Sequence, residues 1–589
     1  MLHTFHIPVL GLGYSIDTPL KVARYGISSV VSIVDDELTE RMRAYHTKKA
    51  GLEFVPIPKS QTDYRARRIE AYLNLLNDLV AVQFGFIRQQ KFDSGSDICR
   101  YFELLPDCSA LKQGYDLMLD YPEGTSRQVF QNRLREAIRA GAIDVNIMAK
   151  VDKMNYLDDE FTGDANTDAL AALRGFAMSK LSSSVILSAG MNPKLYTYIA
   201  SFNDFFPDEK GSIKKKIILK VSDFRSALIQ AKFLAKKGLW VSEFRVESGL
   251  NCGGHAFATE GYLLGPILEE FKAKRVAMRN ELFEICQSAL QQKNIFINIA
   301  PKQTISVQGG IGTAHENDFL LKYYGVDATG WGSPFLLVPE ATNVDATTLA
   351  QLANAKDSDF YLSSASPLGI LFNNFRNSSA EKQRQLRVEK GRPGSPCTKK
   401  YLCNNTEFTA QPICTASREY QHLKIQSLQS SALSNDELRT QIDTVTEKIC
   451  LCEGLCSSAY LKYNMNKPKE NTAVAICPGP NLAYFSDLYS LDEMVGHIYG
   501  KLDLLSEVER PHIFIKELNL YIDYLQKELQ QHLQHFSDKK RKQLGQFKQQ
   551  LLEGANYYRT LFTDLTEQAT EQLKELGISK SKLDAIIVD

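Results

Sequence analysis

The chain has 589 residues, of which 44% are hydrophobic and 23% charged, and its 69 basic side chains balance its 69 acidic ones. This length and composition are typical of a globular protein of several domains, and the balanced charge argues against binding to nucleic acid or acidic membranes. No apolar run reaches the ~20 residues that span a bilayer, and the first residues lack a signal-peptide pattern. We therefore expect a cytoplasmic protein whose eleven cysteines are reduced.

Short apolar runs alternate with helical patterns over residues 1–370. The runs that predict strands are Ile7–Gly13, Ser28–Val34, Ile143–Met148, Ser184–Ser188, Lys216–Val221, Trp240–Val246, Thr304–Val307 and Val326–Trp331. Residues from about 60 to 140 have helical periodicity instead, which indicates an insertion after the second strand. Regular alternation of strand and helix predicts an α/β fold, a (β/α)₈ TIM barrel with a helical insertion.

Three further segments follow the predicted barrel. Residues 371–396 are rich in Asn, Ser, Arg and Lys, which predicts a polar linker or loop. Residues 397–480 contain most of the cysteines, and residues 481–589 have apolar side chains at helical spacing. For this C-terminal helical subdomain the alternatives are a small bundle packed on the barrel and a homodimer contact.

Three glycine-rich runs follow or end strands late in the predicted barrel. They are Asn251-Cys-Gly-Gly-His255, Gly309-Gly-Ile-Gly312 and Asp327-Ala-Thr-Gly-Trp-Gly-Ser-Pro-Phe335. Glycines at the carboxyl ends of strands let backbone N–H groups approach an anion, and the loops after strands seven and eight of such barrels form a phosphate site. The runs predict a phosphate-bearing ligand, such as a sugar phosphate or a nucleotide cofactor.

In this order the runs resemble those of the nitronate monooxygenase (2-nitropropane dioxygenase) and FMN-dependent enoyl reductase family. The resemblance covers about residues 5–345 and includes Pro8–Gly13, which is similar to the family's first flavin loop. The sequence differs from the family's runs at two places: Asn251 stands where the family has Glu, and Trp331-Gly-Ser333 stands where it has Met-Gly-Thr. These differences bear on which substrate is bound more than on whether a flavin is bound.

The resemblance implies that the cofactor is FMN. The residues that it places around FMN are Gly309, Gly310, Gly332 and Ser333 at the phosphate, and Gly11, Gly13, Asn146, Gly253 and Gly254 at the ring. His255 is the implied catalytic residue, because a pKa near ~6.5 allows proton transfer at neutral pH.

Six cysteines fall within 60 residues of one another. They are Cys397, Cys403, Cys414, Cys450, Cys452 and Cys456. Such density in a cytosolic chain indicates metal ligation, and the tight Cys-x-Cys spacing favours an iron–sulfur cluster such as [4Fe–4S] over a zinc ribbon. Zinc and unligated thiols are the alternatives.

The hypothesis that follows is an FMN-dependent oxidoreductase acting on a small or acyl-type substrate. A monooxygenase would use O₂, whereas a reductase would take electrons from NAD(P)H or a redox protein, with an iron–sulfur cluster as relay. The alternative is a non-redox phosphate-binding barrel that serves as a scaffold with structural zinc.

Overall fold

The structure is a computed structural model that describes residues 2–157, 160–188, 190–253, 260–532, 537–564 and 569–588. Its strands are β1 (Phe5–Ile7), β2 (Ser28–Ser32), β3 (Ile143–Met148), β4 (Tyr156–Leu157), β5 (Glu160–Phe161), β6 (Ser184–Ser188), β7 (Lys216–Val221), β8 (Val241–Glu247), β9 (Thr304–Gln308), β10 (Ala328–Gly330), β11 (Phe360–Ser363) and β12 (Phe372–Phe375).

Helices surround these strands and fill the rest of the chain. They are α1 (Pro19–Val22), α2 (Asp36–Lys49), α3 (Tyr64–Gln89), α4 (Asp97–Glu103), α5 (Ala110–Asp120), α6 (Thr125–Ala137), α7 (Asp168–Met178), α8 (Pro193–Ile199), α9 (Phe224–Ala235), α10 (Leu264–Gln291), α11 (Ala314–Tyr323), α12 (Ala346–Ala353), α13 (Ser379–Glu389), α14 (Arg418–Gln429), α15 (Asn435–Thr446), α16 (Leu451–Lys462), α17 (Leu491–Ile498), α18 (Ile513–His532), α19 (Asp538–Asp564) and α20 (Ala569–Asp584).

Eight parallel strands close into a barrel in the order β1-β10-β9-β8-β7-β6-β3-β2. Apolar, β-branched side chains fill it, because strands of a parallel barrel are buried on both faces. Val9, Val30, Ile186 and Ile218 form a small apolar cluster of their own among these barrel residues. The predicted TIM barrel is confirmed, and so is its helical insertion, which consists of α3 to α6.

The part of the chain predicted as a polar linker contains regular structure. Within residues 371–396, β12 pairs antiparallel with β11, and α13 begins after Ser378, whose side chain accepts a hydrogen bond from the Glu381 N–H. Phe372 and Phe375 are buried here, and two buried aromatic side chains stabilise a strand that the polar composition conceals.

The C-terminal helices α18 and α19 pack against α10 on the outside of the barrel. The Tyr558 hydroxyl accepts a hydrogen bond from the Gly265 N–H at the start of α10, and Phe514 stacks on Tyr558. The described residues thus show the packing on the barrel that was one of the two predicted alternatives. Among the described helices, none is both long and apolar enough to cross a membrane.

Candidate functional site

A cavity of about 850 Å³, including its part open to solvent, lies at the carboxyl ends of the barrel strands. Its barrel wall is Val9, Gly11, Leu12, Ser32, Val34, Asn146, Met148, Val151, Ser188, Lys220, Glu247 and Gly253. Its roof, which we define as the cavity-lining residues of the segment 368–477, is Leu368, Phe372, Tyr401, Leu402, Leu451, Cys452, Leu455 and Cys477. An apolar, concave site with a few polar groups at this end of a TIM barrel is the usual form of a cofactor or substrate site.

The roof is joined to the barrel loops by backbone hydrogen bonds. The Gly13 N–H donates to the Leu455 carbonyl at 2.9 Å, and the Gly253 N–H donates to the Cys477 carbonyl at 2.9 Å. The Tyr14 hydroxyl donates to the Ala475 carbonyl at 2.7 Å. The cysteine-rich segment therefore forms one wall of the cavity rather than a separate unit.

A buried cluster of polar side chains centres on one carboxylate oxygen, Oε1 of Glu247. The Lys220 Nζ lies 2.7 Å from it, and the side-chain amides of Asn251 and Gln308 donate to it at 2.6 and 2.7 Å. The side chains of Lys220 and Glu247 are only 7% and 10% exposed, so each charge depends on the other for compensation. Sequence analysis missed Lys220, although a lysine inside the apolar run Lys216–Val221 was a signal for it.

One buried polar atom on the cavity wall, Oδ1 of Asn146, has no hydrogen-bond partner among the described residues. Asn146 lines the cavity, and an unpaired acceptor there costs roughly 1–3 kcal/mol unless a ligand donates to it. Burial, and next the Arg245 cation, hold the pKa of His6 well below its usual range, so this imidazole is neutral.

The residues predicted to contact a flavin ring divide into three groups. Gly11, Asn146 and Gly253 line the cavity. Both glycines have positive φ, +119° at Gly11 and +77° at Gly253, and a Cβ at Gly253 would strike the Val9 carbonyl. Gly13 packs against α16 instead, where a Cβ would lie 3.0 Å from the Leu455 carbonyl oxygen. Gly254 and His255 lie outside the described residues, so their predicted roles stay predictions.

The four residues predicted at the phosphate are near one another but do not line the cavity. The loop 248–252 covers them: a Cβ at Gly309 would lie 3.1 Å from the Asn251 Cα, one at Gly310 2.6 Å from the Leu250 Cδ1, and one at Gly332 3.3 Å from the Cys252 Cβ. Ser333 abuts the turn at Gly479, which touches the same loop.

Charged and amide side chains from other parts of the chain form hydrogen bonds with the backbone of this glycine run. The Arg510 Nη2 donates to the Gly310 carbonyl at 2.6 Å, and the Asn481 Nδ2 donates to the Ile311 carbonyl at 2.9 Å. The buried Glu316 carboxylate accepts from the Gly312 N–H at 2.9 Å and pairs with Arg510 at 2.7 Å. An internal carboxylate therefore bonds to the end of this glycine run, and the phosphate contacts assigned to Gly309, Gly310, Gly332 and Ser333 stay predictions.

Five of the six cysteines predicted as metal ligands approach one another in the segment above the cavity. The Sγ atoms of Cys397 and Cys403 are 3.9 Å apart, and Cys414, Cys450 and Cys452 interact with them. The sixth, Cys456, is elsewhere and donates to Oδ2 of Asp35 at 3.2 Å. Among the described residues, no three Cys, His, Asp or Glu side chains are placed to bind one metal ion. The predicted iron–sulfur cluster therefore has no support from the structure.

No protein-family model and no curated protein matches this sequence. Among solved structures, FabK from Thermotoga maritima is 13% identical over 64% of this chain and 79% of its own, with a TM-score of 0.30. The enoyl reductase domain of MlnA from the macrolactin biosynthesis cluster of Bacillus amyloliquefaciens is 14% identical over 72% and 93%, also with a TM-score of 0.30. A single-residue mutant of the same FabK is 11% identical, with a TM-score of 0.29. At these TM-scores the likeness assigns neither a family nor a function to this chain.

Proposed function

We propose that this protein is a flavin-dependent oxidoreductase whose cavity takes the isoalloxazine ring of FMN and a small or acyl-type substrate. The observation that carries the proposal is the unpaired, buried Oδ1 of Asn146 on the cavity wall, between glycines that bring backbone close to the same space. The ring is planar and apolar with an N–H edge, so it would supply the missing donor.

When bound, FMN would supply hydride or electron transfer, and the chain's own residues have separate tasks. Leu368, Phe372, Leu402 and Leu455 in the roof exclude water from the cavity. Lys220 provides a buried N–H donor whose charge is balanced by Glu247. His255 remains the proposed proton donor or acceptor, and NAD(P)H or a redox protein remains the proposed source of electrons for a reductase.

The experiment is a visible spectrum of the purified protein followed by titration with FMN. Asn146→Leu should weaken FMN binding about fivefold, because one hydrogen bond contributes about 1 kcal/mol. The same variant without flavin should be no less stable in urea than the wild type, since it removes an unpaired acceptor. Asn132→Leu, on the exposed face of α6, is the matched control.

The second candidate is a non-redox barrel that serves as a scaffold. The observation that favours it is the Glu316–Arg510 pair at the glycine run, whose carboxylate accepts from the Gly312 N–H and whose guanidinium donates to the Gly310 carbonyl. Protein that shows no flavin absorbance and binds neither FMN nor riboflavin would establish this candidate and exclude the first.

A further inference from the structure

The turn that ends α13 contains two arginines. Arg387 lies in the last turn of the helix, and the Arg392 N–H donates to the Arg387 carbonyl at 2.9 Å. Gly391, between them, has a φ of +64°, and its N–H donates to the Val388 carbonyl at 2.9 Å. A left-handed glycine just after a helix is a common way for a helix to end. The backbone therefore reverses between Arg387 and Arg392, and both residues belong to one turn.

A third arginine, Arg418 at the start of α14, is fixed against the residues that follow this turn. The Arg418 N–H donates to the Ser395 carbonyl at 2.8 Å, and the Ser395 N–H donates to the Ala416 carbonyl at 2.9 Å. Gly394 has a φ of +82°, and a Cβ there would lie 2.7 Å from the Cα of Arg418. Only a residue without a Cβ allows two backbones to come so close, and this contact brings α14 to the turn that contains Arg392.

The three arginines line two adjoining pockets, which we call together the arginine pocket. Arg392 and Arg418 line the larger part, of about 1740 Å³ with its space open to solvent, and Arg387 lines the smaller, of about 360 Å³. Ser395 lines both parts, so the two meet at this residue. All the lining residues belong to the segment 380–473, and none of them lines the barrel cavity. The arginine pocket is therefore a separate site.

Cations dominate the charged side chains of the arginine pocket. Glu419 is the one carboxylate among its described lining residues. The cations that line it are Arg384, Arg387, Arg392, Lys400, Arg418 and Lys448. Arg384 pairs with Glu381, and the Lys448 Nζ donates to the Ser364 carbonyl at 2.5 Å, so these two already have partners. The remaining cations still outnumber the single carboxylate, and a pocket of this charge attracts an anion.

The three arginines form no ion pair with any carboxylate of the described ranges. The Nε of Arg418 is buried and has no hydrogen-bond partner there. Burial, and next the Arg418 cation, lower the pKa of Arg387. The Glu453 carboxylate opposes this shift, but it is bonded to the Thr398 hydroxyl and the Asn471 amide. Partly buried guanidinium groups without a carboxylate partner are stabilised by an external anion, since burying an unpaired charge is costly.

We propose that Arg387, Arg392 and Arg418 form a binding site for a phosphate group. A guanidinium presents its N–H donors in a planar fork that matches the oxygens of a phosphate. A phosphate monoester carries roughly −1.5 to −2 charges at neutral pH and three acceptor oxygens, so it can satisfy several arginines, whereas one carboxylate balances one. The larger part of the pocket, of about 1740 Å³, has room for the rest of a phosphorylated molecule.

A ligand of the arginine pocket would also act on the roof of the barrel cavity. Lys400 lines the arginine pocket, and the next two residues, Tyr401 and Leu402, line the cavity. The loop that contains them therefore borders both spaces, and an anion beside Lys400 would restrain two residues of the roof. The phosphate site is independent of the flavin proposal, because it uses no residue of the cavity.

The test is calorimetric titration of the full chain with inorganic phosphate and with ADP at constant ionic strength. We expect saturable binding, which Arg387→Gln and Arg418→Gln should each weaken by about tenfold or more, because hydrogen bonds to charged groups are the strong ones. Arg418→Lys keeps the charge but not the fork and should recover only part of the loss. Arg439→Gln, at an exposed position of α15, is the matched control and should bind as the wild type does.

The two titrants distinguish the sources of the phosphate group. ADP that binds about tenfold more tightly than phosphate would identify a phosphorylated organic ligand, and equal binding would identify free phosphate; both outcomes support the site. Urea unfolding of the wild type needs no variant: phosphate should raise the midpoint at constant ionic strength, whereas chloride should not. Wild-type protein that binds neither phosphate nor ADP, or glutamine variants that bind them as tightly as Arg439→Gln does, would overturn the proposal.

Discussion

A single buried carboxyl, that of Glu517 on α18, links the C-terminal helices to both ends of a barrel loop. Its Oε1 accepts from the Ser248 hydroxyl at 2.6 Å and from the Gly249 N–H at 3.3 Å, and its Oε2 accepts from the Leu264 N–H at 2.7 Å. No cation pairs with it in these contacts, and the side chain is only 1% exposed. Burial raises the pKa of Glu517 to about 7, although the hydrogen bonds act against the rise.

This pKa shift predicts a definite dependence of stability on pH. Below pH 4.5 the folded and unfolded states both hold the proton; between 4.5 and about 7 the folded state keeps it and the unfolded state releases it. The free energy of unfolding therefore falls as pH rises through this window. A shift from 4.5 to about 7 amounts to about 3 kcal/mol at about 1.4 kcal/mol per unit.

Glu517→Gln isolates this contribution, because the amide resembles the protonated acid and does not titrate. Urea unfolding at a series of pH values should show the wild type losing about 3 kcal/mol relative to the variant from pH 4.5 to 7.5. Fluorescence follows the barrel directly, since the two tryptophans, Trp240 and Trp331, are both buried in it. Glu507→Gln, at an exposed position, is the control. Parallel curves for the wild type and Glu517→Gln would refute the reasoning.

Two further substitutions test the site. Lys220→Met leaves the buried Glu247 carboxylate without its cation and should cost about 3 kcal/mol in urea unfolding, whereas Lys216→Met on the same strand, exposed, should change little. Gly310→Ala meets both a φ of +82° and a side chain at 2.6 Å, so it should destabilise the fold by roughly 2–4 kcal/mol; Gly325→Ala, with a φ of +64° and open space, should cost only about 1 kcal/mol. Equal effects within either pair of variants would contradict the burial or the packing on which it rests.

The strands of the barrel were predictable because each carries its own signal. Ile143–Met148, Ser184–Ser188 and Lys216–Val221 are continuous apolar runs with β-branched side chains, and the structure gives all three with the predicted bounds. The strand Phe372–Phe375 was missed since it gains its stability from β11 and from burial, neither of which shows in a polar local sequence.

The side-chain contacts of the glycine run 309–312 could not be predicted from the local sequence, because the residues that make them are distant in the chain. Asn481 and Arg510 lie about 170 and 200 residues after the glycine run that they contact. A glycine motif predicts close backbone approach, and the structure does show close approach at Gly310. The group that lies closest to Gly310 is the side chain of Leu250, and only tertiary structure brings it there.

The asparagine at position 251 has a physical explanation in the contacts of the same region. Its side-chain amide donates to Oε1 of Glu247, the oxygen that also receives Lys220 and Gln308. A glutamate at position 251 would set a second carboxylate against Glu247 in a buried place that holds one cation, and the repulsion would be large at low dielectric. The negative charge of this loop therefore stands at the end of β8, and a neutral residue at 251 is what that position requires.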